Sequence, residues 1–225
     1  MKYRIMANFD KLRNIQAVRS LVWHLRDLRS KFSYTSGCHN TVTISGIRIS
    51  SKINVTGNNN VINCIKGAVL KRVSIFVKGN NNTILIKKNA FLEGTSLHIE
   101  DNDCTIEIGE DTFVGPSHLA CTEDGSKLII GNDCMISSHV QIRTGDSHSI
   151  VDTEGNRINF AADVHIGNHV WLGEGSKVLK GVHVAENSVV ATGAIVTKSV
   201  AANSLMAGAP AKIIREKINW CSIRK

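Results

Sequence analysis

The chain has 225 residues, with 27 Lys and Arg against 19 Asp and Glu for a surplus of +8, and it holds 18 glycines, two prolines and only 5% aromatics. That length allows one domain or two small ones, while the shortage of aromatics argues against a sandwich or a doubly wound sheet. No run of 18 apolar residues is present, which excludes a membrane-spanning helix, and residues 1–16 lack the compact apolar stretch of a secretory signal. The basic surplus suits an anionic partner, but it gathers at the two ends of the chain and nothing resembles a nucleic-acid recognition motif. Cys38, Cys64, Cys104, Cys121, Cys134 and Cys221 form no CxxC pair and no zinc spacing, so they are expected as reduced, mostly buried thiols of a cytoplasmic protein.

Residues 10–33 place Leu12, Ile15, Val18, Val22, Leu25 and Phe32 at helical spacing, opposite Arg13, Arg19, Arg26, Arg29 and Lys31. Within an N-terminal segment 1–35 this predicts an amphipathic helix. It either caps the open end of the domain that follows or makes a peripheral contact with an anionic membrane, at its inner face.

From residue 53 the chain repeats itself every 22 residues: INVTGNNNVI (53–62), IFVKGNNNTI (75–84) and LHIEDNDCTI (97–106). Ile130, Ile136 and Ile142 then fall six apart, and the same step resumes at Ile166, Leu172, Val178, Val184, Val190 and Val196. The residue after each is usually small (Gly167, Gly173, Ala185, Ala191), and the residue two before is small or β-branched. A helix cannot keep a period of six on one face and a plain strand alternates every two. Six residues can make a short strand and a corner, so three hexapeptides close one triangular coil of a solenoid. The period of 22 reads as an 18-residue coil with about four extra residues at one corner. The Asn runs at 58–60 and 80–82 suit that corner, because Asn tolerates left-handed backbone and stacked amides can pair. Ile142 and Ile166 lie 24 apart, so residues 143–163 are expected to leave as a loop and rejoin in register. The solenoid spans about 36–207, and residues 208–225 form a tail or helix covering the last coil.

The hexapeptide run, Thr197-Lys198 and GAPAKIIRE (208–216) resemble the hexapeptide-repeat acyltransferases, whose fold is an all-β solenoid, the left-handed parallel β-helix. RTGDSHSIVD (143–152) followed by VWLG (170–173) is most similar to the O-acetyltransferases of capsular polysaccharides and sialic acids. The resemblance implies an acetyl-CoA donor, a glycan acceptor, and a homotrimer with its active sites between subunits. Outward-facing Trp171, Val189 and Ile195 would otherwise meet water, which makes such assembly reasonable.

Acyl transfer to a hydroxyl needs a base, a donor for the developing oxyanion, and a departing sulfur. The resemblance makes His148 the base, on the ejected loop, with Asp146 and Arg143 beside it in sequence to orient the imidazole or meet the substrate. Many relatives have His-Pro where Ser149 follows here. The resemblance also puts Trp171 beside the thioester, with Gly173 and the backbone N–H of Glu174 facing the thioester carbonyl. Thr192, Thr197, Lys198, Lys212 and Arg215 complete the implied acetyl-CoA set, the cations meeting its phosphates. His165 and His169 are four apart with no third partner, which argues against a metal; His183 should stack on His165. Two further readings stay open: N-acetylation of an amino sugar or a small amino acid such as serine, and a non-catalytic solenoid used for interaction.

Overall fold

In a computed structural model, residues 33–223 are described; the N-terminal helix expected over 10–33 lies outside them. They form a parallel β-solenoid of three sheets. The first sheet stacks eight strands, from Ser33–Ser36 to Ile195–Val196. The second stacks seven, from Thr41–Ile44 to His183–Val184. The third runs from Ile47–Ile49 through Trp171–Leu172 and Val189–Val190 to a closing hairpin of Leu205–Gly208 and Ala211–Arg215. The end of the chain is therefore an antiparallel hairpin followed by irregular backbone, not a helix, among the described residues.

The hexapeptide aliphatics do what their period demands. Ile130, Ile136, Ile142, Leu172, Val178, Val184, Val190 and Val196 are fully buried, and Cys134, Val140, Val164, Val170, Ser176 and Ala194 fill the companion inward slots. A buried Ile or Leu contributes ~1.5–3 kcal/mol by leaving water, and a solenoid gathers that contribution coil by coil. The small residue after each aliphatic is needed because the next coil passes directly over it. A Cβ on Gly173 would stand 2.6 Å from the Thr192 backbone nitrogen and 2.9 Å from the Val190 carbonyl oxygen.

Two coil lengths predominate between a first coil of 20 residues and a last of 16. In the N-terminal half Ile53 pairs with Ile75 and Leu97 with Leu119, an offset of 22 residues; in the C-terminal half Val178 pairs with Val196, an offset of 18. The additional residues lengthen the strands around one corner, between the first and second sheets, and there the Asn runs sit. Asn58, Asn80, Asn102 and Asp124 form a ladder in which each amide donates to the next side-chain oxygen at 2.9–3.2 Å. The same oxygens accept backbone N–H groups, as Asn80 Oδ1 does from Asn58 N at 2.9 Å. Asn59, Asn81 and Asp103, all near φ +57°, form a second, exposed ladder. A third is buried: Asn60 and Asn82 are 1% exposed, and Asn82 Oδ1 accepts from Cys104 N at 2.9 Å. Side-chain amides thus satisfy corner N–H groups that no strand reaches.

The inserted segment leaves at that same corner. The strand Gln141–Arg143 ends the first sheet's turn and Val164–Ile166 resumes in the second, with Ile130 still paired to Ile166. Register is kept across the whole excursion. The described cysteines are free; Cys64, Cys104, Cys121 and Cys134 are buried, while Cys38 and Cys221 are exposed.

Candidate active site

The loop 144–163 stands on the last rung of the Asn corner. Thr144, fully buried, accepts the Thr122 N–H through its hydroxyl at 2.9 Å and donates to the Thr122 carbonyl at 3.1 Å. Glu123 receives the loop from above: Arg157 reaches Glu123 Oε1 at 2.5 Å and the Ala161 N–H reaches Oε2 at 3.2 Å. Inside the loop the organiser is Asn159, 7% exposed. Its amide donates to Asp146 Oδ2 at 2.9 Å and to the His148 carbonyl at 2.8 Å, and its Oδ1 accepts from Ile150 N at 2.7 Å. Lys180, two residues past the strand Lys177–Val178, donates to Asp146 Oδ2 at 2.5 Å and to the Asn159 carbonyl at 2.8 Å.

His148 is therefore fixed through its main chain, while its exposed imidazole is left open. Asp146 and Arg143, expected to orient that ring, are engaged elsewhere. Asp146 is held by Lys180 and Asn159, and Arg143 donates to Ser147 Oγ at 2.5 Å. Among the described residues no side chain hydrogen-bonds the His148 ring. The Lys180 ammonium, with the Asn159 amide, holds the Asp146 carboxyl below its ordinary pKa, so Asp146 stays ionised as an anchor for Lys180. Sequence reading missed Asn159, Lys180 and Glu123, because their roles depend on a loop conformation that no repeat dictates.

The residues expected beside the thioester gather at a different corner, between the third and first sheets. Trp171 begins the strand Trp171–Leu172 and points outward, 37% exposed, with its indole N–H donating to Ser137 Oγ at 3.2 Å. Gly173 and Glu174 follow at the turn. Gly173 N donates to Val190 O and Gly175 N to Ser138 O. Glu174 N has no acceptor among the described residues. The equivalent N–H groups of Ser138 and Thr192, one coil to either side, likewise have none. The Glu174 carboxylate leans on His139 Nδ1 at 3.3 Å. Thr192 lies one coil on, at the same corner.

Thr197 and Lys198 fall one coil beyond Leu179 and Lys180, at the loop's corner, whereas Lys212 and Arg215 lie on the closing hairpin of the third sheet. Lys198, Lys212 and Arg215 are exposed and form no ion pair among the described residues. They remain available to phosphate oxygens, although the fold distributes them over two edges. Within one chain, then, His148 and the Trp171–Glu174 turn occupy two corners separated by the width of the first sheet. Val189, expected on an outer face, is 9% exposed because Trp171 and Leu205 flank it in the sheet. His165 and His183 do lie one above the other in the second sheet, their rings edge to face with centroids 6.1 Å apart, and no cluster of metal-ligating side chains occurs among the described residues.

This parallel solenoid of hexapeptides and its ejected loop fit a hexapeptide transferase. The "Bacterial transferase hexapeptide (six repeats)" family matches residues 163–198. The polysialic acid O-acetyltransferase OatWY superposes with a TM-score of 0.82 at 34% identity, covering 86% of this chain and 93% of that one. The polySia-specific acetyltransferase NeuO gives a TM-score of 0.73 at 33% identity, covering 86% and 90%. The chain belongs to the hexapeptide-repeat acetyltransferases. Its curated relatives match over shorter stretches. A Saccharomyces cerevisiae protein provisionally described as an acetyltransferase is 33% identical over 93 residues, 41% of this chain and 47% of that protein. A Staphylococcus aureus tetrahydropyridine-2,6-dicarboxylate N-acetyltransferase is 45% identical over 47 residues, 21% of this chain and 20% of that enzyme. A match of that length to an enzyme named for N-acetylation shows that the repeats do not specify the acceptor.

Proposed function

We propose that this protein transfers the acetyl group of acetyl-CoA to a hydroxyl of a sialic-acid-containing or other surface polysaccharide, with His148 as general base. The observation that carries the reading is the likeness to OatWY over 93% of that chain, far beyond the repeats alone. The residues fit the chemistry. His148 takes the proton of the acceptor hydroxyl as its oxygen attacks the thioester carbonyl carbon. The Glu174 N–H supports the negative charge on the carbonyl oxygen. As the tetrahedral intermediate collapses, the C–S bond breaks and the imidazolium returns the proton to the departing thiolate. Trp171 shields the thioester from water, while Lys198, Lys212 and Arg215 meet the donor's phosphates.

The same reading makes the working unit a homotrimer. His148 and the Trp171–Glu174 turn stand at different corners of one prism, so a site between neighbours brings the base of one subunit to the thioester turn of the next. Loop residues Ile150, Ile158 and Phe160, 56–64% exposed, then find cover in the assembly. Thiol release from acetyl-CoA with a panel of polysialic acid, neutral polysaccharides, amino sugars and serine tests the acceptor. Stimulation by polysialic acid or another polysaccharide is expected; stimulation by amines alone contradicts it.

A further inference from the structure

Beyond the closing hairpin the chain turns back along the corner between the second and third sheets. Ile218 N donates to Asn203 O at 2.9 Å and Asn203 Nδ2 returns a bond to Ile218 O at 3.0 Å, tying the tail to the last coil. Two residues later the tail reaches a coil deeper in the stack. The Trp220 indole lies flat on the His169 ring, with centroids 4.3 Å apart and planes 8° from parallel. The indole N–H donates to the His169 carbonyl at 2.8 Å, and the Trp220 carbonyl faces His169 Nε2 at 3.0 Å. His169 Nδ1 faces Asp133 Oδ2 at 2.7 Å. A carboxylate and a carbonyl are both acceptors only, so this pair of partners favours the imidazolium, the form that can donate from both ring nitrogens. The same Trp220 ring lies 6.1 Å from Trp171, tilted by 49°.

We infer that Trp220, clasped by a protonated His169, is a positioning residue for Trp171. Trp171 is over a third exposed and its polar end is held by Ser137; Trp220 supplies a wall for its ring. An aromatic contact of this kind is worth ~0.5–1.5 kcal/mol, enough to bias an exposed side chain toward one rotamer. The inference rests on the reading that Trp171 borders the acetyl-CoA channel. Asp133 is the charged group facing His169, with neutral Asn219 and Trp220 arriving from the tail. Burial of the ring opposes its charge, but the Trp220 carbonyl, the Asp133 carboxylate and the Asn219 side chain outweigh that and hold the pKa above the ordinary histidine value. A pKa raised in the folded state stabilises the clasp at low pH and releases it as pH rises through the raised value.

The test measures KM for acetyl-CoA and kcat between pH about 6 and about 9, spanning the histidine range, for wild type and for Trp171→Ala, Trp220→Ala, Trp220→Phe and Asp133→Asn. Trp220→Ala should raise KM by roughly 3- to 10-fold with kcat changed less than about twofold, the loss of one aromatic contact. Trp220→Phe should recover most of it by restoring the stack. In wild type KM should climb as His169 loses its proton, Asp133→Asn should shift that climb to lower pH, and Trp220→Ala should flatten it. If Trp171→Ala raises KM but Trp220→Ala does not, the positioning role is wrong while the reading of Trp171 stands. If Trp171→Ala leaves KM unchanged, the reading beneath the inference fails as well. A flat wild-type profile overturns the clasp without requiring any variant to fold.

Discussion

Asn159 holds His148 by the main chain, its side-chain amide reaching the His148 carbonyl at 2.8 Å while also donating to Asp146 Oδ2 at 2.9 Å. The loop is thereby set by a buried amide, not by a partner on the imidazole. Asn159→Ala leaves the Ile150 N–H and one Asp146 oxygen short of a bond, at a cost of ~1–3 kcal/mol each where burial is complete. Most of that falls on the loop, since the partners of the Asn159 side chain, Asp146, His148 and Ile150, all belong to it. We expect kcat to drop at least about tenfold, with acetyl-CoA binding kept within about twofold and a Tm shift of a few degrees. Steady-state kinetics with calorimetric CoA binding checks the split.

Lys180 and Asp146 anchor the same loop, and their pair carries a pH signature. The Asp146 carboxyl is held below its ordinary value of 3.8 by Lys180 and Asn159. A lowered carboxylate pKa gives stability that is present above the unfolded value and is lost as pH falls through the folded one. Wild type should therefore shed thermal stability below pH about 4, and Lys180→Met should blunt that acid limb. Asp146 is 41% exposed on its side chain, so the effect is modest. Melting curves from neutral to acid pH show it as a difference in slope.

The Asn corner separates buried from exposed ladders. Asn82→Ala strips the Cys104 N–H and the Asp101 carbonyl of partners inside the fold, and ~2–4 kcal/mol should be lost. Asn81→Gly removes an exposed amide, and glycine accepts its positive φ, so the change should stay within ~1 kcal/mol. Denaturant midpoints compare the two directly.

A site shared between subunits allows complementation. His148→Ala, nearly inactive, and Trp171→Ala, weakened in its use of acetyl-CoA, should together exceed the sum of their separate activities when their subunits are exchanged, because one interface of a mixed trimer then carries His148 and Trp171 together. Mixed oligomers, confirmed by mass measurement, whose activity does not exceed that sum contradict a shared site.

Much of the fold was legible in the sequence, for a physical reason. A solenoid makes each coil repeat the same burial problem, so Leu172, Val178 and Val184 announce their inward direction by spacing alone. The periods of 22 and 18 and the Asn corner were readable on the same ground, whereas the chain stays in its strand through Arg143, one residue past the expected exit. The interior of the loop was not. Asn159 and Lys180 act through contacts across 11 to 34 residues of irregular chain, and no period links them to Asp146 or His148. The tail escaped for a related cause: Trp220 meets His169 across 51 residues, and a lone tryptophan near a chain end carries no spacing signal. The resemblance put His148, Trp171 and Glu174 forward as candidates but could not foretell that Asp146 turns from the imidazole to Lys180.

The most direct measurement is acetyl-CoA-dependent acetylation of polysialic acid by wild type and His148→Ala, with CoA binding followed on the same samples. The account predicts that turnover falls by roughly 10²- to 10⁴-fold, the scale of a lost general base, while CoA binds as before. Turnover that persists in His148→Ala contradicts it.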